Sequence, residues 1–246
     1  MAEPWNKLQF GTRTFYPDVR LLGEMAEVIF DQEFLATASR DMALYYMFRE
    51  VAKSAEDANK IKERDLRYDI TIIPPRTLGR EFIKTAGHYH PRVPGSTLTY
   101  PEIYEVLEGE AHYLLQKREV LHRIERITDV IFVIARSGDK VIIPPQYGHV
   151  TINPSTQVLK MANWVARTFS SIYEPYKQHG GAAYFELTTG AITKNERYKE
   201  VPPLRILQPE DTWIKEMGLR KQVEMYQLIQ EPEKLAFLLQ PEGWFP

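Results

Sequence analysis

Residues 101–116 read PEIYEVLEGEAHYLLQ, and the way this stretch folds decides the reading of the whole chain. Apolar and β-favouring side chains lie on both sides of Leu107-Glu108-Gly109-Glu110, where a glycine between acids marks a turn joining two short strands. Working outward, runs of the same kind recur at 68–73, 80–89, 102–107, 111–118, 130–135, 140–143, 149–153 and 157–166, bounded by Gly, Pro or charged residues. Many short strands at this spacing make a sandwich or a barrel. Arg136-Ser137-Gly138-Asp139 repeats the punctuation of the first turn, so two hairpins are expected. No long helical pattern interrupts the runs, which argues against βαβ units and a doubly wound parallel sheet.

The 246 residues are 43% hydrophobic and 26% charged, a length that one β domain with helical decoration accommodates. A formal net charge of -2, from 31 Lys plus Arg against 33 Asp plus Glu, argues against blanket phosphate neutralisation, so no nucleic-acid partner is expected. The absence of cysteine removes disulfides, thiolate nucleophiles and Cys-ligated metals, leaving nitrogen and oxygen as the possible ligands. The first seven residues carry no basic stretch followed by an apolar run, so a cytoplasmic location is expected. The longest uncharged stretch, 141–159, holds Pro144, Pro145 and Pro154 and is too polar to span a membrane.

Three regions follow. Residues 1–41 form an N-terminal extension in which 25–34 fits helix or strand. Residues 42–187 form the β barrel, with 42–51 (MALYYMFREV) a strand and 52–67 a charged surface connection carrying a helical turn. Residues 188–246 form a largely helical appendage. There Trp213, Met217, Val223, Tyr226 and Ile229 recur at mostly helical intervals over 211–230, and Pro232 stands in the first turn of a second short helix. Trp244 and Phe245 are expected to dock on the barrel or on a partner subunit.

The chemistry sits in three motifs. Thr85-Ala86-Gly87-His88-Tyr89-His90 sets two imidazoles at i and i+2 on one strand face. Glu102 and Tyr104 share a face in the same way, and His149 follows a Pro/Gly turn on a further strand with Thr151 and Asn153. Three His and one Glu on neighbouring strands suit Fe2+, Mn2+, Ni2+, Co2+ or Zn2+, with positions left for water or substrate. An isolated H-x-H arises by chance in strands, and a lone His is more often hydrogen-bonded than a ligand. The ordered set is specific: H-x-H, then E-x-Y before a Gly turn, then PP-x-x-x-H. His112, His122 and His179 lack that context and are not expected to bind metal.

The run from 87 to 153 resembles the metal-binding cupin barrels. More narrowly, TAGHYH, PEIYEVLEGEAHYLLQ and VIIPPQYGHVTIN resemble the cupin-type glucose-6-phosphate isomerases of archaea and some bacteria, over roughly 42–187. The resemblance implies an all-β cupin fold (a double-stranded β-helix, or jelly roll) and a homodimer. It assigns one divalent ion per subunit, Fe2+ favoured, to His88, His90, Glu102 and His149. It also implies a phosphosugar substrate and the glycolytic and gluconeogenic interconversion of glucose 6-phosphate and fructose 6-phosphate. Glu102 is then the candidate base and Tyr104 a proton donor or shuttle. Thr71, Thr85 and Gly87 match phosphate-side positions, and Tyr173 a position near the substrate. Regular alternation would turn Thr85 and Gly87 away from the imidazoles, so this reading requires a bulge near Gly87. Arg76, Arg80 and Lys84 are nearby cations expected to be solvated.

Two departures stand out. The segment 91–101 is longer than in compact members, which would reshape the pocket rim, and 162–165 reads Ala-Asn-Trp-Val where those members place a tyrosine. Two alternatives use the same ligands: an Fe2+ dioxygenase, and a non-catalytic sugar- or metal-binding cupin.

Overall fold

The computed structural model describes residues 5–121 and 124–245; His122 and the first four residues lie outside them. An N-terminal ribbon of β1 (Leu8–Phe10) and β2 (Arg13–Phe15) precedes β3 (Asp18–Leu21), α1 (Gln32–Thr37), β4 (Ala43–Phe48) and α2 (Ala55–Glu63). Then come β5 (Leu66–Ile73), β6 (Thr77–Leu78), β7 (Glu81–Lys84), β8 (Glu102–Glu108), β9 (Glu110–Leu121) and β10 (Ile124–Arg136). β11 (Lys140–Ile143), β12 (Tyr147–Asn153) and β13 (Leu159–Ala166) complete the central strands. α3 (Glu174–Gln178), a ribbon of β14 (Tyr184–Glu186) and β15 (Ile192–Lys194), and the edge strand β16 (Arg205–Leu207) follow.

Two six-stranded sheets carry the architecture, one ordered β11-β8-β13-β5-β4-β3 and the other β16-β10-β9-β12-β7-β6. Among the described residues every strand pairing is antiparallel except β10 with β16. The sheets face each other as an open sandwich, so the expected all-β fold is met without closure into a barrel.

Both expected hairpins need correction. The turn at Gly109 joins β8 of the first sheet to β9 of the second, and the turn at Gly138 carries β10 back to β11 of the first. They are corners between layers. The two corners lie together: Gly138 N donates to Val106 O at 2.8 Å, and Val106 N to Asp139 O at 3.0 Å. Gly109 is needed at its corner, because at φ +84 a Cβ would stand 2.4 Å from Val158 O. The long hairpin is instead β9–β10, with Ile124 opposite Leu121 and Arg136 opposite Glu110.

Strand alternation sorts the core into two clusters. Tyr104, Val106, Val141, Ile143 and Met161 point between the sheets to meet Tyr113, Leu115, Val133 and Ile152. Their sequence neighbours Ile103, Ile142, Ala162 and Trp164 point outward, where Met217, Met225, Tyr226, Ile229 and Phe237 of the C-terminal segment cover them. The first sheet is therefore buried on both faces, which is why its strands read as unbroken apolar runs. Each large side chain so covered contributes ~1.5–3 kcal/mol of burial.

The C-terminal segment docks on the sheet, as expected, yet its described residues contain no α-helix. It is a chain of 3-10 turns at Pro209–Thr212, Lys215–Met217, Met225–Gln230 and Pro232–Leu238. Gly218 interrupts the run at φ +58, and beside the short-range backbone bonds of the turns the segment is tied to the sheet. Trp164 Nε1 donates to Met225 O at 3.0 Å, Met225 N to Glu105 Oε2 at 2.7 Å, and Trp213 Nε1 to Lys140 O at 2.6 Å. Contacts of this kind offset the missing i to i−4 ladder. The ambiguous segment 25–34 resolves into a 3-10 turn, Leu22–Val28, and the start of α1, capped by Asp31. No helix of the described residues is long and apolar enough to cross a membrane.

Candidate metal centre

Register across the first sheet lays out the site's floor. Tyr104 pairs with Asn163 and Asn163 with Asp69; Glu102 pairs with Val165 and Val165 with Arg67; Met161 pairs with Thr71 and Thr71 with Met47. The opposite wall comes from β12 and the segment after β7, joined by a bridge between His88 and His149. Lys84 lies opposite Ile152 and His88 opposite His149, so the residues from 84 to 88 face those from 149 to 152 with one to spare. That extra residue is a bulge, with Gly87 at φ +77.

The bulge turns His88 inward beside His90. One ligand atom each from His88, His90, Glu102 and His149 falls within 4.8 Å of the others. Nε2 of His88 and Nε2 of His90 are 3.1 Å apart, and Glu102 Oε2 lies 3.4 Å from Nε2 of both His90 and His149. His90 Nδ1 donates to Tyr100 O at 2.8 Å, which fixes its tautomer and leaves a lone pair on Nε2. The long segment 91–101 therefore orients a ligand as well as forming rim, since Tyr100 belongs to it. Phe169 stacks on Tyr100 and packs on His90, with ring centroids 4.8 and 4.6 Å away.

Electrostatics match a cation site. Burial pushes His90 down to about 4 and holds His88 and His149 well below the usual imidazole range, so all three are neutral. Burial raises the Glu102 carboxyl to about 8 against the opposing pull of Arg67. Glu102 Oε2 is buried without a hydrogen-bond donor among the described residues. Converging lone pairs of neutral imidazoles beside an orphaned carboxylate oxygen leave a place that a divalent cation satisfies. The four side chains are thus suited to binding one metal ion.

Around them Tyr45, Met47, Arg49, Arg67, Thr71, Thr85, Tyr104, Asn163, Ser171 and Tyr173 line one narrow cavity of about 50 Å³. That volume holds an ion with a few waters, so a larger ligand requires rim side chains to swing outward. Tyr104 OH stands 3.1 Å from His149 Nε2, and burial keeps its phenol protonated. Thr71, Thr85 and Tyr173 reach the cavity. Gly87 does not line it: a Cβ there would meet the side chains of Tyr176 and Val150, so the glycine serves the bulge.

Arg80 pairs with Asp31, Lys84 with Glu81, and Arg76 donates to Ala43 O, all away from this cavity. Lys84 and Glu81 are buried, against the expectation of a solvated lysine. His112 bonds Glu186 and Glu110, and His179 donates to Pro175 O, so neither joins the ligands. Asn153 ties its own turn, donating to Ile73 O and Gln157 O. Sequence reasoning missed Arg49, Arg67, Asp69 and the bond from Asn163 to Glu102. Their only sequence signal is alternation along β5, β13 and the continuation of β4.

Fold and site together define a two-sheet β protein in which three imidazoles and a carboxylate are placed to suit one metal ion. A family model described as Glucose-6-phosphate isomerase (GPI) matches residues 19–203, which is 185 of 246 residues. The chain belongs to the glucose-6-phosphate isomerase family. It is 36% identical over 92 residues to the Glucose-6-phosphate isomerase of Thermococcus litoralis, covering 37% of this chain and 42% of that protein. With the Glucose-6-phosphate isomerase of Thermococcus gammatolerans it shares 27% identity over 135 residues, 55% of this chain and 61% of that protein. The chain thus spans about half the length of the curated relatives it matches. Among solved structures, an oxalate decarboxylase formate complex from Lactobacillus farciminis aligns with a TM-score of 0.35 and 18% identity over 52% of this chain and 31% of that one.

Proposed function

We propose that the protein is a metal-dependent aldose–ketose isomerase interconverting glucose 6-phosphate and fructose 6-phosphate. The observation that carries the reading is the convergence of His88, His90, Glu102 and His149 within 4.8 Å of one another in a chain of this family. Fe2+ is the favoured ion, with Mn2+, Ni2+, Co2+ or Zn2+ compatible with the same donors. A homodimer and a place in glycolysis and gluconeogenesis belong to the same reading and rest on family membership.

Once bound, the ion supplies positive charge for the oxyanion that develops as the carbonyl migrates. Glu102 acts as the base: its carboxylate takes the proton from the carbon beside the carbonyl and returns it to the neighbouring carbon, passing through a cis-enediol. Tyr104, protonated and 3.1 Å from His149 Nε2, carries the hydroxyl proton between the substrate oxygens. Asn163 holds Glu102 Oε1 at 2.7 Å and so aims the carboxylate. Thr71, Thr85 and Tyr173 receive the remainder of the sugar phosphate. A direct hydride shift between the two carbons needs no base, and deuterium at C2 of the aldose separates the routes: washout to solvent supports Glu102, full retention overturns its role.

The test is formation of fructose 6-phosphate in a coupled assay, abolished by a chelator and restored by Fe2+ or Mn2+. His149→Ala should lose the ion, and Glu102→Gln should lose turnover even when excess metal keeps the site loaded. A fully loaded wild type that makes no fructose 6-phosphate, or that consumes oxygen instead, overturns the proposal.

A further inference from the structure

Behind the metal centre lies a second cavity. Residues 88–90 and 171–173 are joined by a bridge at Tyr89 and Ile172, with Tyr89 N donating to Ile172 O at 3.0 Å and Ile172 N to Tyr89 O at 2.8 Å. Alternation divides this short ladder. His88, His90, Ser171 and Tyr173 line the metal cavity, whereas Tyr89 and Ile172 line a space of about 520 Å³ on the other side. Only His90 belongs to both linings. The second volume falls in the range of small-molecule sites, roughly 300–1,000 Å³.

Its charge is one-sided. Arg92, Lys117 and Arg118 line it against a single acid, Glu119, which Arg126 already holds at 3.0 Å. Asp129 stands opposite Lys117 in the β9–β10 register, but Arg205 engages both its oxygens, at 2.9 and 2.6 Å. Arg92 and the half-buried Lys117 therefore have no acidic partner among the described residues. Arg118 lies over the Tyr89 ring, 4.7 Å from its centroid, which fixes the plane of its guanidinium. Gln146 closes one edge at φ +70, the position of its turn that favours Gly or Asn, and its N–H donates to Thr99 Oγ1 at 2.6 Å on the facing edge. Backbone strain of this kind is held where a site needs it. Like charges converging on one space repel, and an anion between them removes that cost.

We propose that the cavity lined by Arg92, Lys117 and Arg118 binds a phosphate-type dianion, free or carried on a small metabolite, separately from whatever the metal centre binds. Two planar forks and one point charge suit the oxygens of a tetrahedral anion. The hydroxyls of Thr97 and Thr128, in the same lining, add neutral donors. This site goes beyond the isomerase reading and stands whichever reaction the metal centre performs.

The experiment titrates sulfate, a tetrahedral dianion, into metal-loaded protein by calorimetry, and then glycerol 3-phosphate. It compares wild type, Lys117→Gln, Arg92→Gln and Arg49→Gln, the last altering the lining of the metal cavity alone. Loss of either cation of the second cavity should weaken one anion-binding event roughly 10-fold, with ion affinity by dye competition unchanged, and Arg49→Gln should leave that event in place. Wild type that binds no sulfate, or binding lost in Arg49→Gln and kept in the other two, overturns the proposal. Tighter binding of glycerol 3-phosphate than of sulfate at this site identifies a phosphorylated metabolite as the occupant, and equal affinity identifies the free anion; either supports the site. Should a variant fail to fold, sulfate added to the wild type should slow acetylation of Lys117 relative to Lys160, which lies outside the cavity; equal rates with and without sulfate overturn the proposal.

Discussion

Asn163 Nδ2 donates a 2.7 Å hydrogen bond to Glu102 Oε1, and both side chains are buried. With Oε1 so held, Oε2 stands 3.4 Å from the Nε2 atoms of His90 and His149, where a cation needs it. Asn163→Ala releases the carboxylate and should weaken metal binding roughly 10- to 100-fold, the usual effect of losing a partner that orients a ligand. Asn163→Asp sets a second carboxyl against the first and should raise the pH needed for ion uptake. Competition with a metal-sensitive dye reads both, and wild-type affinity in the Ala variant would show that the amide does not aim Glu102.

The ligand set was legible because its four members carry local signals: His at i and i+2, Glu two before Tyr, His after a Pro/Gly turn. Arg49, Arg67, Asp69 and Asn163 were not, since each looks like an ordinary strand residue until sheet order places β5 between β13 and β4. Gly109 and Gly138 misled for a related reason. A Gly turn between two strands reads the same whether the strands pair or part, and here they part into different layers. The C-terminal segment misled because roughly helical spacing of Trp213, Met217 and Tyr226 also suits 3-10 turns laid along an apolar sheet.

Ion uptake should be proton-linked. Without the ion, burial holds the Glu102 carboxyl at about 8, while the imidazoles are neutral well before pH 7. Binding near pH 7 should therefore release about one proton per ion, all from Glu102, and the release should vanish well above pH 8. A carboxyl raised from 4.5 favours the ion-free fold below 4.5, and that contribution is lost as the pH rises through about 8. The Tm of ion-free protein should accordingly fall between pH 6.5 and about 8. Calorimetry in buffers of different ionisation heat counts the protons; release of none at pH 7 would place the carboxylate already ionised.

Asp31 should be the acid-side anchor of the N-terminal extension. Its Oδ1 accepts from Glu33 N and Phe34 N at 3.1 Å, and its Oδ2 from Arg80 N and Nε at 3.0 and 2.9 Å. The hydrogen bond from Arg80 leads in holding its carboxyl down to about 2 from 3.8, so its contribution is complete above 3.8 and is lost as the pH falls through about 2. Asp31→Ala removes a helix cap and should cost about 1–2 kcal/mol at neutral pH. Urea unfolding at pH 7 and near pH 2 should show that cost shrinking with acid; an equal cost at both would separate Asp31 from the acid limb.

Gly87→Ala tests whether the bulge makes the metal centre. At φ +77 the backbone is where only glycine is unstrained, and a Cβ would lie 2.7 Å from the Tyr176 ring and from Val150 Cγ2. Relieving that strain by restoring the regular ladder would shift the register by one residue, and a one-residue shift turns His88 to the opposite face. Stability and ligation should therefore fall together: a cost of about 1–3 kcal/mol from the backbone alone, and loss of the His88 contribution to ion affinity. The two effects separate by measurement, because unfolding of ion-free protein reports the strain and dye competition reports the site. Loss of stability with unchanged ion affinity would mean that His88 holds its place without the bulge, leaving Gly87 a packing residue beneath Tyr176.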